Sequence, residues 1–181
     1  MTYVEQFTYE EIEQKFETTS FDPTPYIEST LLDQSLREKL IANVLDGKNH
    51  INYYFNSYLI IERASFIEPM LFYPFWEVFW QLHQHQNSYH RRIAHDMISN
   101  LVVCDVENKF LAIKDDYLEM IETEKISNLL RMLQNAIRVD QITPLEELPP
   151  LFLHLEKQSH LTEKQKKRIA KLYQEYQTAE K

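Results

Sequence analysis

Apolar residues return every three to four positions along most of this chain, the spacing of one face of an α-helix. The pattern is clearest in three segments. Ile93, Ala94, Met97 and Ile98 form one stripe, Met132, Leu133, Ala136 and Ile137 a second, and Ile169, Ala170, Leu172 and Tyr173 a third. The polar residues around the stripes supply start signals. Ser35-Leu36-Arg37-Glu38, Ser65-Phe66-Ile67-Glu68, Thr143-Pro144-Leu145-Glu146 and Thr162-Glu163-Lys164-Gln165 each read as a capping box. Ser88 reads as a cap for the stripe that begins at Tyr89. These signals predict helices near 8–16, 33–45, 66–85, 89–103, 107–122, 125–139, 144–157 and 162–178, with a loop at 21–25. Pro69 and Pro74 predict that the 66–85 helix is kinked or begins late. Residues 50–62 are ambiguous. Ile51, Tyr53 and Phe55 alternate like a strand, whereas Tyr54, Tyr58 and Ile61 fit a helix. Helix is chosen, because the chain offers no partner strand.

Composition sharpens this picture through one count. Among 181 residues there is a single glycine, Gly47. Tight hairpin turns and phosphate loops depend on the positive φ that glycine adopts most cheaply, so a β-rich fold is disfavoured. A G-x-G-x-x-G dinucleotide loop, a G-x-x-x-x-G-K-[ST] phosphate loop and a G-x-S-x-G nucleophile elbow are excluded outright. Gly47 itself is expected just past the 33–45 helix, at the position that favours φ > 0. Cys104 is the single cysteine. It rules out an intrachain disulfide and a Cys-rich zinc site, and its neighbours Val102, Val103 and Val106 predict a small buried hydrophobe.

The chain carries 28 acidic and 19 basic side chains, a net charge of −9. That balance disfavours nucleic acid or an anionic membrane as the main partner. Met1-Thr2-Tyr3-Val4-Glu5 has neither the basic nor the apolar region of a secretory leader. The longest apolar run, Met70 to Trp76, is too short to cross a membrane. A cytoplasmic setting is expected.

Repetition organises the C-terminal two thirds. Arg92-Ile93-Ala94, Arg131-Met132-Leu133 and Arg168-Ile169-Ala170 recur at spacings of 39 and 37 residues. Each follows another apolar helix, carrying Phe79 and Leu82, Leu118 and Ile121, or Leu151 and Leu155. Two helices per repeat with an arginine early in the second resembles the HEAT and armadillo-like repeat family, over residues 64–178. The sequence departs from the family in that its Asp–Arg ladder is not obvious and Tyr173 stands where a small residue is usual. A non-repetitive helical bundle is the alternative. On this reading residues 1–23 form an N-terminal helix and loop, 24–63 fit one degenerate hairpin, and the whole chain is one helical domain. The charged helix 162–178 suits the cap of a stack.

The resemblance implies a concave face lined by the second helices, which in the family usually binds protein and less often nucleic acid. The candidates on it are His90, Arg91, His95, Asn128, Arg131, Asn135, Arg138, Lys167 and Lys171, a locally basic set on an acidic chain. A solvated helix face is the plain alternative. Tyr73, Trp76 and Trp80 extend the apolar surface of the 66–85 segment, as core or as an interface for a partner or a second copy.

Four histidines lie within thirteen residues: His83, His85, His90 and His95, with Asp96 adjacent. A helical hairpin brings the two ends of this cluster together, so His83, His90, His95 and Asp96 are candidate metal ligands. The pair His95-Asp96 also resembles the central dyad of HD-domain phosphohydrolases, which implies His50, His95, Asp96 and Asp140 around a metal-activated water. The family's glycine after the dyad is missing. Some HEAT-like proteins resemble alkylpurine DNA glycosylases, which implies Trp76, Trp80 and Asp96 at a lesion; the net charge argues against it. The expectation is therefore an all-α scaffold for protein–protein interaction, not an enzyme, with no obligate cofactor. A metal-dependent phosphohydrolase is the first alternative and nucleic-acid binding the second.

Overall fold

The structure is a computed structural model that describes residues 5–47 and 49–180. The N-terminal residues Met1 to Val4, read above for a leader, lie outside it. All regular structure among the described residues is helical. Ten α-helices follow one another: α1 (Tyr9–Glu13), α2 (Ile27–Leu32), α3 (Gln34–Leu45), α4 (Ile51–Ile67), α5 (Trp76–Gln81), α6 (Ser88–Leu101), α7 (Phe110–Thr123), α8 (Ile126–Asp140), α9 (Leu148–Glu156) and α10 (Glu163–Ala179). Among the described residues no helix is long and apolar enough to cross a membrane.

Sequence neighbours pair as α3 with α4, α5 with α6, α7 with α8 and α9 with α10. The second members also touch in succession: α4 packs on α6, α6 on α8, and α8 on α10. Each apolar stripe thus meets both its own hairpin partner and the next hairpin. Ile93, Ala94, Met97, Met132, Leu133, Ala136 and Ile169 are all fully buried, which removes roughly 1.5–3 kcal/mol of unfavourable hydration for each large aliphatic side chain. Helix α6 is enclosed by α4, α5 and α8, and every residue from Ile93 to Leu101 is buried. Its polar residues His95, Asp96, Ser99 and Asn100 are carried inside with it.

The ambiguous segment is helix. It is α4, and His50 caps it by accepting the Asn52 N–H on Nδ1 at 3.2 Å. The expected single helix over 66–85 is broken. Pro69 begins one short 3-10 turn and Pro74 is the second residue of another, positions where the missing N–H costs nothing, and α5 covers only Trp76–Gln81. Caps divide into two groups. Thr162 forms the expected box with Gln165, and Thr8 forms another with Glu11. Elsewhere a stronger acceptor one or two residues earlier takes over. Asp33, not Ser35, caps α3 through the Leu36 N–H, and Asn87, not Ser88, caps α6. Ser65 lies inside α4, where its hydroxyl donates to the Glu62 carbonyl. The Thr143 box gives way to Asp140, whose carboxylate accepts the Leu145 N–H at 2.7 Å before α9 begins at Leu148.

Gly47 does not adopt positive φ; the described residue that does is Asn108, at φ 54°. Asparagine tolerates that region better than most residues. The turn is completed by Asp105, whose carboxylate accepts from Lys109 N, Phe110 N and the Tyr73 hydroxyl. Cys104 is half-buried, and Val103 and Val106 are exposed rather than packed around it.

Candidate interaction face

The successive packing of α4, α6 and α8 brings four polar residues to one point. Asp96 on α6 is buried, and its carboxylate accepts Arg131 Nε of α8 at 3.0 and 2.8 Å. It also accepts the hydroxyl of Tyr58 on α4 and the side-chain amide of Asn135 on α8, the latter at 2.7 Å. Arg92, one turn earlier on α6, approaches to 3.6 Å. A buried carboxylate is tolerated only when it is paired and hydrogen-bonded, and this one has both. Burial pushes the Tyr58 phenol far above its ordinary range, with the Asp96 charge adding to it, so Tyr58 acts as a donor. Burial works against the Arg131 charge, but Asp96, Tyr58 and Glu62 outweigh it and hold the guanidinium protonated.

The network continues outward. Asn135 Oδ1 accepts Arg138 Nη2 at 3.0 Å, and the same nitrogen donates to the Asn100 side-chain Oδ1 at 3.2 Å. Asn100 in turn donates to the Glu62 backbone and the Ser65 hydroxyl. Arg131 Nη2 lies 3.8 Å from Glu62. Three arginines therefore share one face. Arg131 and Arg138 are anchored at the base by buried acceptors, whereas Arg92 has only the 3.6 Å ion pair with Asp96, and its Nε has no hydrogen-bond partner among the described residues. Aromatic rings lie beside two of them. Arg92 sits 5.7 Å from the Phe55 ring centre and Arg138 sits 5.7 Å from that of Phe66. Phe66 is 64% exposed and Tyr89 42%.

Several candidates lie inside the molecule and not on this face. His90, His95, Asn128 and Asn135 are buried, which corrects the expectation that they face solvent. Asn128 donates to the Ser88 carbonyl. Asn135 Nδ2 also meets His95 Nδ1 at 3.1 Å, while His95 Nε2 and both nitrogens of His90 have no partner among the described residues. Burial lowers the pKa of His95 to about 3 and of His90 to about 4, so both rings are neutral near pH 7. His90 stacks on His85 and meets the Tyr54 ring at a tilt, and His95 lies flat on Tyr117. Arg91 turns inward. It forms a two-pronged pair with Glu124 at 2.8 and 2.9 Å and donates to the His85 and Gln86 carbonyls. Burial opposes the Glu124 charge, yet Arg91 and the Lys125 N–H keep its carboxyl below the usual range. Lys167 and Lys171 are exposed on α10. Tyr73 and Trp76 are core residues, and Trp80 is half-buried beneath the stacked ring of His83.

The metal candidates do not converge. His83 stacks on Trp80, His90 on His85, and Asp96 is occupied by Arg131. His50 caps α4, and Asp140 holds Leu145 N and the Tyr176 hydroxyl. Among the described residues no group of three or more His, Cys, Asp or Glu is placed to hold a metal ion. Asp96 thus emerges as an ion-pair partner rather than a ligand. Tyr58, Glu62, Arg92, Phe55, Phe66 and Tyr89 were missed as members of the face. The recurring arginine was the available signal: Arg131 begins one repeat, and the preceding repeat carries Asp96 one turn after its own Arg92.

No family model, no curated protein and no solved structure matches this chain.

Proposed function

We propose that this chain is a protein-binding scaffold of the HEAT-like type, and that it engages its partner on the face formed by α4, α6 and α8. The observation that carries the reading is the row Arg92, Arg131, Arg138. Asp96 holds Arg131, Asn100 and Asn135 hold Arg138, Arg92 lies 3.6 Å from Asp96, and Phe55, Phe66 and Tyr89 lie beside them, on a chain of net charge −9. Arginine and aromatic side chains are the residues that most often carry interface energy, and preorganisation lowers the entropy lost on binding. The charge of the row selects carboxylates on the partner. Kinship with HEAT-like repeats is supported by the successive packing of second helices and by the Asp96–Arg131 pair, which joins one hairpin to the next. A single cysteine, which leaves no intrachain disulfide, fits a cytoplasmic setting.

Selection from a displayed random-peptide library tests this, with the Arg92→Glu/Arg138→Glu variant as counter-selection. Enrichment of acidic peptides that hold the wild type and lose the variant is expected. No enrichment, or equal binding to both, contradicts the reading. Preferential capture of an oligonucleotide of equal charge would favour nucleic-acid binding instead.

A further inference from the structure

A second feature lies beside that face and does not depend on it. A groove of about 510 Å³ is lined by residues of α8 and α10. Ile126, Leu130 and Leu172 supply its apolar lining, and Arg168, Lys171 and Glu175 of α10 supply its charges. The side chains of Arg168 and Lys171 make no hydrogen bond or ion pair among the described residues. On the opposite member of the α7–α8 hairpin, α7 presents the reverse chemistry. Asp115, Glu119 and Glu122 are exposed at the spacing of one helical ridge, and their carboxylates are likewise without hydrogen bond or ion pair. The same ridge begins with Leu111, which is 65% exposed.

We propose that the α7 ridge of one molecule docks in the α8–α10 groove of a second copy. Leu111 supplies the apolar anchor for Leu130 and Leu172. Asp115, Glu119 and Glu122 supply three carboxylates for Arg168 and Lys171. This is a helix laid in a groove, with anchors at i, i+4, i+8 and i+11. The two surfaces are different parts of the chain, so the contact is head-to-tail, and it extends into a ring or a filament instead of stopping at a two-fold dimer. Unpaired charges of both signs, one set beside the exposed Leu111 and the other beside the half-buried Ile126, Leu130 and Leu172, match each other better than either matches itself.

Sedimentation velocity on the full chain tests the pairing, over a range of concentrations at about 50 mM and about 500 mM salt. Association beyond the dimer is expected, at least tenfold weaker at high salt. Arg168→Glu/Lys171→Glu and Glu119→Lys/Glu122→Lys each sediment as monomers when alone. An equal mixture of the two associates again, because each restores the charge complement of the other. All four positions are exposed, so circular dichroism should show an unchanged helix content. A wild type that stays monomeric at both salts overturns the proposal. So does association that survives either variant, or a mixture that fails to recover it. Neither result touches the Arg92–Arg138 row, which these variants leave intact.

Discussion

Asp96 on α6 accepts the Nε–H of Arg131 on α8 across the boundary between two hairpins, at 3.0 and 2.8 Å. The pair is asymmetric. Asp96 is buried, whereas the Arg131 side chain is 37% exposed. Arg131 can thus serve both as the counter-ion of a core residue and as part of the surface. Removing it strands a buried carboxylate that keeps only Tyr58, Asn135 and the more distant Arg92. Arg131→Ala is expected to cost about 2–3 kcal/mol, somewhat below the loss typical of a fully buried pair. Urea unfolding would measure it.

Tyr58→Phe removes one donor to the same carboxylate without opening a cavity. A loss of about 1–2 kcal/mol is expected. Because Tyr58 and Arg131 share Asp96 and also touch each other at 3.4 Å, the two substitutions should not be additive. A double-mutant cycle that returns zero coupling would show that the three residues do not act as a unit.

Acid should weaken the fold through its two buried imidazoles. Both folded pKa values, about 4 for His90 and about 3 for His95, lie below the ordinary 6.5. The unfolded chain therefore binds protons that the folded chain refuses, and stability falls as pH drops below 6.5. Each imidazole contributes about 1.4 kcal/mol per pH unit in that window. Between about pH 5.5 and 6.5 carboxylates are almost fully ionised in both states and contribute little. Stability measured there should slope upward with pH, and His90→Phe, which retains the ring contacts with His85 and Tyr54, should make the slope shallower.

Helix capping gives a test of local detail. Asp33→Ala should cost about 1 kcal/mol, because its carboxylate accepts the Leu36 N–H, whereas Ser35→Ala should be close to neutral. Thermal melts of the two variants would separate them. The reverse order would restore Ser35 as the cap.

Much of this fold was legible in the sequence, and the reasons are local. A stripe such as Met132, Leu133, Ala136 and Ile137 can be satisfied only by a helix with one buried side. Residues 50–62 were ambiguous by local spacing, and the helix there was legible only because the rest of the chain offered no partner strand. The errors came from competition between near neighbours: Asp33 outbids Ser35, and Asn87 outbids Ser88, because one or two residues of shift cost a helix little. Site residues were harder to read. His90, His95 and Asn135 have surface-type side chains, but α6 is enclosed by three other helices, and enclosure is a property of the assembly. Asp96 looked like a metal ligand next to His95 because its true partner, Arg131, arrives only when the next hairpin docks.

The most direct measurement of the proposed face is amide hydrogen exchange of the full chain with and without the strongest acidic peptide from the library. Protection is expected over α4 near Phe55 to Phe66, the start of α6 at Tyr89 to Arg92, and α8 from Arg131 to Arg138. Protection confined to α7 and α9, or to α2, would contradict binding on the arginine row.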